Sequence, residues 1–105
     1  MAAPPPARVQ VAAQEFRLAL SRRTIKAGRA VIELRNLGED AHDLLLRRAR
    51  DGRVLVRWPV VQPGGVADRE LALRPGRYVL SCGVGNHRSL GMVATLVVSG
   101  SAGGA

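Results

Sequence analysis

Apolar and polar residues alternate along short runs of this chain, the period of a strand with one buried face. Glu15-Phe16-Arg17-Leu18-Ala19-Leu20 shows it first, and Asp68 to Leu73 repeats it. Further β-type runs are Val31 to Asn36, Leu44 to Arg47, Val54 to Trp58, Arg77 to Cys82 and Met92 to Val98, with Val9-Gln10-Val11 as a first strand. Turn chemistry separates them at Ala27-Gly28, Leu37-Gly38-Glu39-Asp40, Asp51-Gly52, Pro63-Gly64-Gly65 and Pro75-Gly76. Seven or eight strands at this spacing, with no helical period, predict an all-β sandwich or barrel.

Strand direction follows by alternation. If the strand at 31–36 runs upward, the loops at 37–42, 59–65 and 83–91 share the top, and the turns at 50–53 and 75–76 lie at the bottom. The expected organisation is a flexible leader over 1–7, one domain over 8–98 and a disordered tail over 99–105. The tail has no side chain larger than serine.

Composition narrows the picture. Of the 105 residues 47 % are hydrophobic, yet the only aromatics are Phe16, Trp58 and Tyr78, so the core must be aliphatic. No apolar run approaches the roughly 18 residues of a membrane-crossing helix. A single cysteine, Cys82, excludes an internal disulfide framework, a zinc finger and a four-cysteine iron–sulfur site.

The formal charge of +8 comes almost wholly from arginine and raises the question of an anionic partner. Nucleic acid is disfavoured, because no aromatic platform or helix-turn-helix pattern accompanies the charge. Alternation instead gathers Arg22, Arg23, Lys26, Arg29, Arg47, Arg48, Arg50, Arg53, Arg74 and Arg77 near the bottom turns. Arg57, Arg69 and Arg88 stand at the top, against Glu39, Asp40, Asp43, Asp68 and Glu70. The basic end is thus expected to be free to face an anionic surface such as a membrane or cell wall.

Candidate chemistry gathers at the other end. Beyond Met1, the soft or imidazole side chains are His42, Cys82, His87 and Met92. Three lie in Cys82-Gly83-Val84-Gly85-Asn86-His87-Arg88-Ser89-Leu90-Gly91-Met92, a C-x4-H-x4-M run, and His42 sits at the top of a preceding strand. Two imidazoles, a thiolate and a weak thioether match the ligand types of a blue copper site, although Zn(II) fits the same atoms. Taken singly, each residue has a blander reading: a buried small cysteine, a core methionine, a loop histidine. Their joint placement favours the metal. Cys82 and His87 lack a third, orienting group, so a catalytic dyad is a poorer explanation.

At these residues the chain resembles the cupredoxins, the small blue copper proteins. The resemblance rests on Thr24-Ile25-Lys26-Ala27-Gly28, Asn36 to Asp43, and Arg74 to Cys82 leading into the ligand loop. The loop spacing is similar to that of rusticyanin-like members. The resemblance implies a Greek-key sandwich of about eight strands, monomeric, binding one type 1 copper through His42, Cys82, His87 and Met92. It implies an electron carrier rather than an enzyme, working outside the cytoplasm and meeting redox partner proteins near His87, with Val84 and Leu90 beside the contact. Copper storage or delivery, the electron-transfer domain of a larger copper oxidoreductase, and a metal-free scaffold are the competing readings. Trp58, Pro59, Val60, Val61 and Pro63 are expected to shield the metal. Asp43, after the first histidine, is expected either to favour Cu(II) or to tie down the ligand loop.

Overall fold

The computed structural model describes residues 4–101, so Met1–Ala3 of the expected leader and Ala102–Ala105 of the expected tail lie outside the described residues. Eight strands follow one another: β1 (Ala7–Gln14), β2 (Arg17–Leu20), β3 (Thr24–Asn36), β4 (His42–Arg48), β5 (Val54–Val61), β6 (Val66–Leu73), β7 (Gly76–Ser81) and β8 (Val93–Ser101). No helix occurs among the described residues. The all-β expectation therefore holds, strand for strand.

Two layers form the sandwich. One has the order β2-β1-β3-β6, the other β3-β8-β7-β4-β5, and β3 belongs to both. Its first residues, Thr24 to Ala27, run parallel to β8, and its later ones pair with β1 and β6. The register shifts between Lys26 and Ala27, and Gly28 follows at φ 123°. Ala27-Gly28, expected as a break between strands, is thus the corner at which one strand changes layers.

The alternation in the sequence becomes the burial pattern. In β1, Val9, Val11 and Ala13 point inward; from the facing layer come Leu44, Leu46, Leu80 and Leu96, all fully buried. Each such side chain contributes roughly 1.5–3 kcal/mol relative to an exposed one, so an aliphatic core suffices. Trp58 and Tyr78 are its two aromatics, and the Trp58 indole Nε1–H donates to the Ile32 carbonyl at 3.0 Å.

Strand bounds differ from expectation at several places: β3 begins at Thr24 rather than Val31 and β4 at His42 rather than Leu44, and three further differences have a local cause. Glu15 and Phe16 form the tip of the β1–β2 hairpin, because Gln14 already pairs with Arg17. Alternation alone could not reveal this, since the apolar–polar pattern runs through the turn. β5 extends to Val61 despite Pro59, a residue without an N–H that an edge strand tolerates. β8 continues past Val98 to Ser101.

Four connections consequently share the top end: the 15–16 tip and the loops at 37–41, 62–65 and 82–92. The bottom holds 21–23, 49–53 and 74–75 together with the β3 corner. Two charges fall elsewhere than alternation placed them. Arg47 turns away from the bottom to donate from Nη1 to Ser81 Oγ at 3.0 Å. Glu70 lies along β6 opposite Val31, and its carboxylate accepts from Arg29.

Candidate metal centre

His42 opens β4 and Cys82 directly follows β7, two strands that pair antiparallel, so the top ends of neighbouring strands bring imidazole and thiol together. The loop after Cys82 then folds on itself. The His87 N–H donates to the Val84 carbonyl, the Met92 N–H to that of His87, and the Cys82 N–H to that of Met92 at 3.1 Å. This last bond closes the loop at its base and starts β8. Gly91, at φ 125°, could not carry a side chain there: a Cβ would meet the Phe16 carbonyl oxygen at 2.8 Å.

The result is a compact buried cluster. His42 Nδ1 lies 3.8 Å from Cys82 Sγ, His87 Nδ1 lies 3.6 Å from it, and one ligand atom from each residue falls within 4.8 Å of the others. His42, Cys82 and Met92 are at most 1 % exposed, and His87 is 9 % exposed. Burial pushes the Cys82 thiol above its ordinary range, with the Asp43 charge adding to the effect.

Both imidazoles are turned the same way. Each presents Nδ1 to the sulfur and Nε2 to a carboxylate: Glu15 Oε2 at 2.7 Å for His42, and Asp40 Oδ2 at 3.7 Å for His87. The His42–Glu15 contact is a hydrogen bond, and an Nε2–H held in this way leaves the Nδ1 lone pair directed at the centre, the usual support of a metal-binding histidine. Asp40 stands beyond hydrogen-bond distance of His87. Glu15 does more than this. Its Oε1 also accepts the backbone N–H groups of Glu39 and Asp40, which hold its pKa below the usual carboxylate value together with the His42 bond. The carboxylate fills the space that a side chain at position 38 would need, so Gly38 is required for this approach.

Phe16, next in sequence, stacks at a tilt on His87 with ring centroids 5.3 Å apart. A two-residue turn therefore touches both imidazoles. Neither residue stood out in the sequence, because each continues the strand pattern and the partners are 24 to 71 positions away. Asn36 is a third residue whose role was not read in advance. Fully buried, it donates from Nδ2 to the carbonyls of Asp40 and Val61 and accepts from the Gly38 N–H.

The loop tie expected of Asp43 is present: its Oδ1 accepts the Gly83 N–H. The expected apolar shield is displaced. Between the pairs His42–Val61 and Leu44–Trp58, the single residue Asp43 of β4 opposes two of β5, Pro59 and Val60. This bulge leaves Pro59 and Val60 exposed, and Pro63 is exposed as well. Val61 is buried beside His42 and Trp58 serves the core, while Phe16 takes the covering position over His87.

The donor set suits copper on its chemistry alone. A thiol and a thioether are soft ligands, two neutral imidazoles accept either oxidation state, and the three clustered donors are already oriented inward. No family model matches the chain, and no characterised protein matches it by sequence. Solved structures do. A dithionite-reduced auracyanin from the photosynthetic bacterium Roseiflexus castenholzii superposes with a TM-score of 0.73, over 91 % of this chain and 99 % of that one, at 17 % identity. The chain has the auracyanin fold. Auracyanin B aligns at TM-score 0.74 and 19 % identity, over 94 % of this chain and 93 % of its own. Auracyanin A, described as a "blue" copper protein of the green thermophilic photosynthetic bacterium Chloroflexus aurantiacus, gives 0.73 and 17 % over 90 % and 100 %. That architecture is the one the cupredoxin resemblance implied.

Proposed function

We propose that this chain is a mononuclear type 1 copper protein that passes single electrons between partner proteins. The observation that carries the reading is the convergence of His42 Nδ1, Cys82 Sγ and His87 Nδ1 within a dry pocket built on the auracyanin fold. His42, Cys82 and His87 would hold the metal, with the fully buried Met92, at the foot of the same loop, as a fourth, thioether donor. Copper supplies a one-electron couple there. The chain supplies the rest: Glu15 fixes the ring of His42, Asp43 ties the Cys82 loop to β4, and backbone bonds hold His87 and Met92 in place.

Burial separates this reading from copper delivery, since a cargo site must open to a recipient and three of the four donors here are sealed. Both histidines are engaged, which leaves none for a second, catalytic metal. Electron exchange with partner proteins would occur at the edge of His87, beside the 40 % exposed Phe16, which stacks on its ring, and the 48 % exposed Leu90, whose N–H donates to its carbonyl. Val84, expected with Leu90 beside the contact, is half-buried: it packs against the core and its carbonyl accepts the His87 N–H. An extracytoplasmic workplace is part of the same reading.

Titration with Cu(II) is the test. One equivalent per chain should bind and give intense visible absorption from thiolate-to-copper charge transfer, and Cys82→Ala should abolish that absorption. An intense band that survives the substitution would overturn the assignment.

A further inference from the structure

At the end opposite the metal ligands the molecule carries a second feature that electron transfer does not use. Nine cations gather around the bottom turns once Arg47 is removed from their number, and the two acids among them are neutralised. Glu70 pairs with Arg29, and Asp51 pairs with Arg48 at 2.6 Å, which holds its carboxyl down at about 2. The other seven cations have no ion-pair partner among the described residues.

They are not evenly spread. Arg50, Arg74 and Arg77 stand with the paired Arg48 around a cavity of about 620 Å³ whose walls include Leu55, Leu73, Pro75 and Tyr78. Leu55 is 42 % exposed at its edge, whereas Tyr78 is buried and spends its hydroxyl on the Arg74 carbonyl at 2.7 Å. A neighbouring depression of about 430 Å³ is lined by Arg22, Lys26, Arg29 and the prolines at 4–6. Guanidinium groups around an exposed aliphatic side chain suit a phosphate-bearing headgroup above and hydrocarbon below.

From this surface we infer that the basic pole docks on an anionic lipid bilayer. Polynucleotide fits less well, because no exposed aromatic ring lies at the pole on which a base could stack; Tyr78 and Trp58 are both buried. Distance makes the pole independent of the metal end. β4 carries the chain over seven residues from His42 to Arg48, roughly 20 Å at about 3.3 Å per residue. Screening at physiological salt acts over about 8 Å, so the acids near His42 do not offset the cations below. Docked in this way, the chain turns the His87 edge towards the aqueous phase, where a soluble partner can reach it.

The inference does not rest on copper, and the metal-free protein serves for its test. Sedimentation with phosphatidylglycerol/phosphatidylcholine vesicles at 50 mM salt should show binding that is lost at 500 mM, with none to phosphatidylcholine alone. The double variant Arg74→Glu/Arg77→Glu should weaken partition at least tenfold. Arg57→Glu/Arg88→Glu, the same change of charge at the metal end, should leave it within about twofold. Neither Arg74 nor Arg77 uses its side chain in a hydrogen bond among the described residues; if urea unfolding nevertheless shows that the pair destabilises the fold, Arg50→Glu/Arg53→Glu gives the same reading. Equal losses from the two ends would reduce the effect to net charge and overturn the assignment of a site. Failure to bind anionic vesicles, or binding to a DNA duplex in their stead with the same dependence on Arg74 and Arg77, would overturn the lipid surface.

Discussion

Removing the Asn36 amide should loosen the whole metal end. The side chain is 1 % exposed and makes three hydrogen bonds, at 2.8 Å to the Asp40 carbonyl, 2.9 Å to the Val61 carbonyl and 2.9 Å from the Gly38 N–H. Its own backbone bonds to Gly64 and Gly65, so one residue joins two of the four top connections, and the end of β5, to β3. In Asn36→Ala the Asp40 carbonyl and the Gly38 N–H can turn to water, at about 0.5–1.5 kcal/mol each. The Val61 carbonyl is buried and stays unpaired, at about 1–3 kcal/mol. The expected loss is about 3 kcal/mol. With a urea m-value of roughly 1–2 kcal/mol/M for a chain of this size, the midpoint should fall by about 2 M. Trp58, the single tryptophan and 3 % exposed, reports the transition by fluorescence in the metal-free protein. Asn36→Asp discriminates further: it keeps the acceptor for Gly38 but sets a buried anion against two carbonyls, and should be less stable than the alanine variant. An alanine variant within about 0.5 kcal/mol of wild type, or an aspartate variant more stable than alanine, would refute the claim that these bonds hold the end together.

Two further outcomes follow from the carboxylate and the thiol. Glu15→Gln removes the anion behind His42, and its amide oxygen cannot serve both the imidazole and the loop N–H groups. In the copper-loaded protein Cu(II) should lose about tenfold in affinity relative to Cu(I), a rise in reduction potential of roughly 60 mV by voltammetry; an unchanged or lowered potential rules out the positioning role. Because burial holds the Cys82 thiol protonated at neutral pH, each metal bound must release a proton. Apparent Cu(II) affinity should therefore rise about tenfold per pH unit between about pH 7 and 8, and a competition titration independent of pH would contradict this.

What could be read from the chain in advance was local. All eight strands follow from alternation and turn chemistry, because each sheet has one buried face and a period of two shows in the residues themselves. Cys82, His87 and Met92 were legible because they share one loop, and His42 because strand alternation brings its end to that loop. Glu15 was not. Its partners are residues 39, 40 and 42, and they meet it only through the parallel pairing of β1 with β3, a long-range register that no local pattern encodes. Val60 and Pro59 were misplaced for a related reason: a bulge between paired strands changes which face a side chain occupies without changing the sequence period. Arg47 shows the limit of placing charge by strand direction alone. Its backbone sits low on β4, but a long side chain bridges several ångströms, and the Ser81 hydroxyl draws its guanidinium upward.

The 15–16 turn shows why the centre is rigid although its ligand loop carries three glycines. Glu15 holds His42 and the backbone of Glu39 and Asp40, and Phe16 lies against His87 with its carbonyl at Gly91. The tip is itself fixed by the β1–β2 pairing on one side and the β1–β3 pairing on the other. Displacing either imidazole therefore requires moving a hairpin anchored in the core, not just bending a loop. Two strands with no donor of their own thus set the geometry of the site as firmly as the strands that carry the donors. Anchoring of this kind opposes movement of the imidazoles, and an electron carrier needs that to avoid rearrangement at each turnover. Flexibility is left to the far end, where arginine side chains on exposed turns can follow an uneven anionic surface without disturbing the ligands.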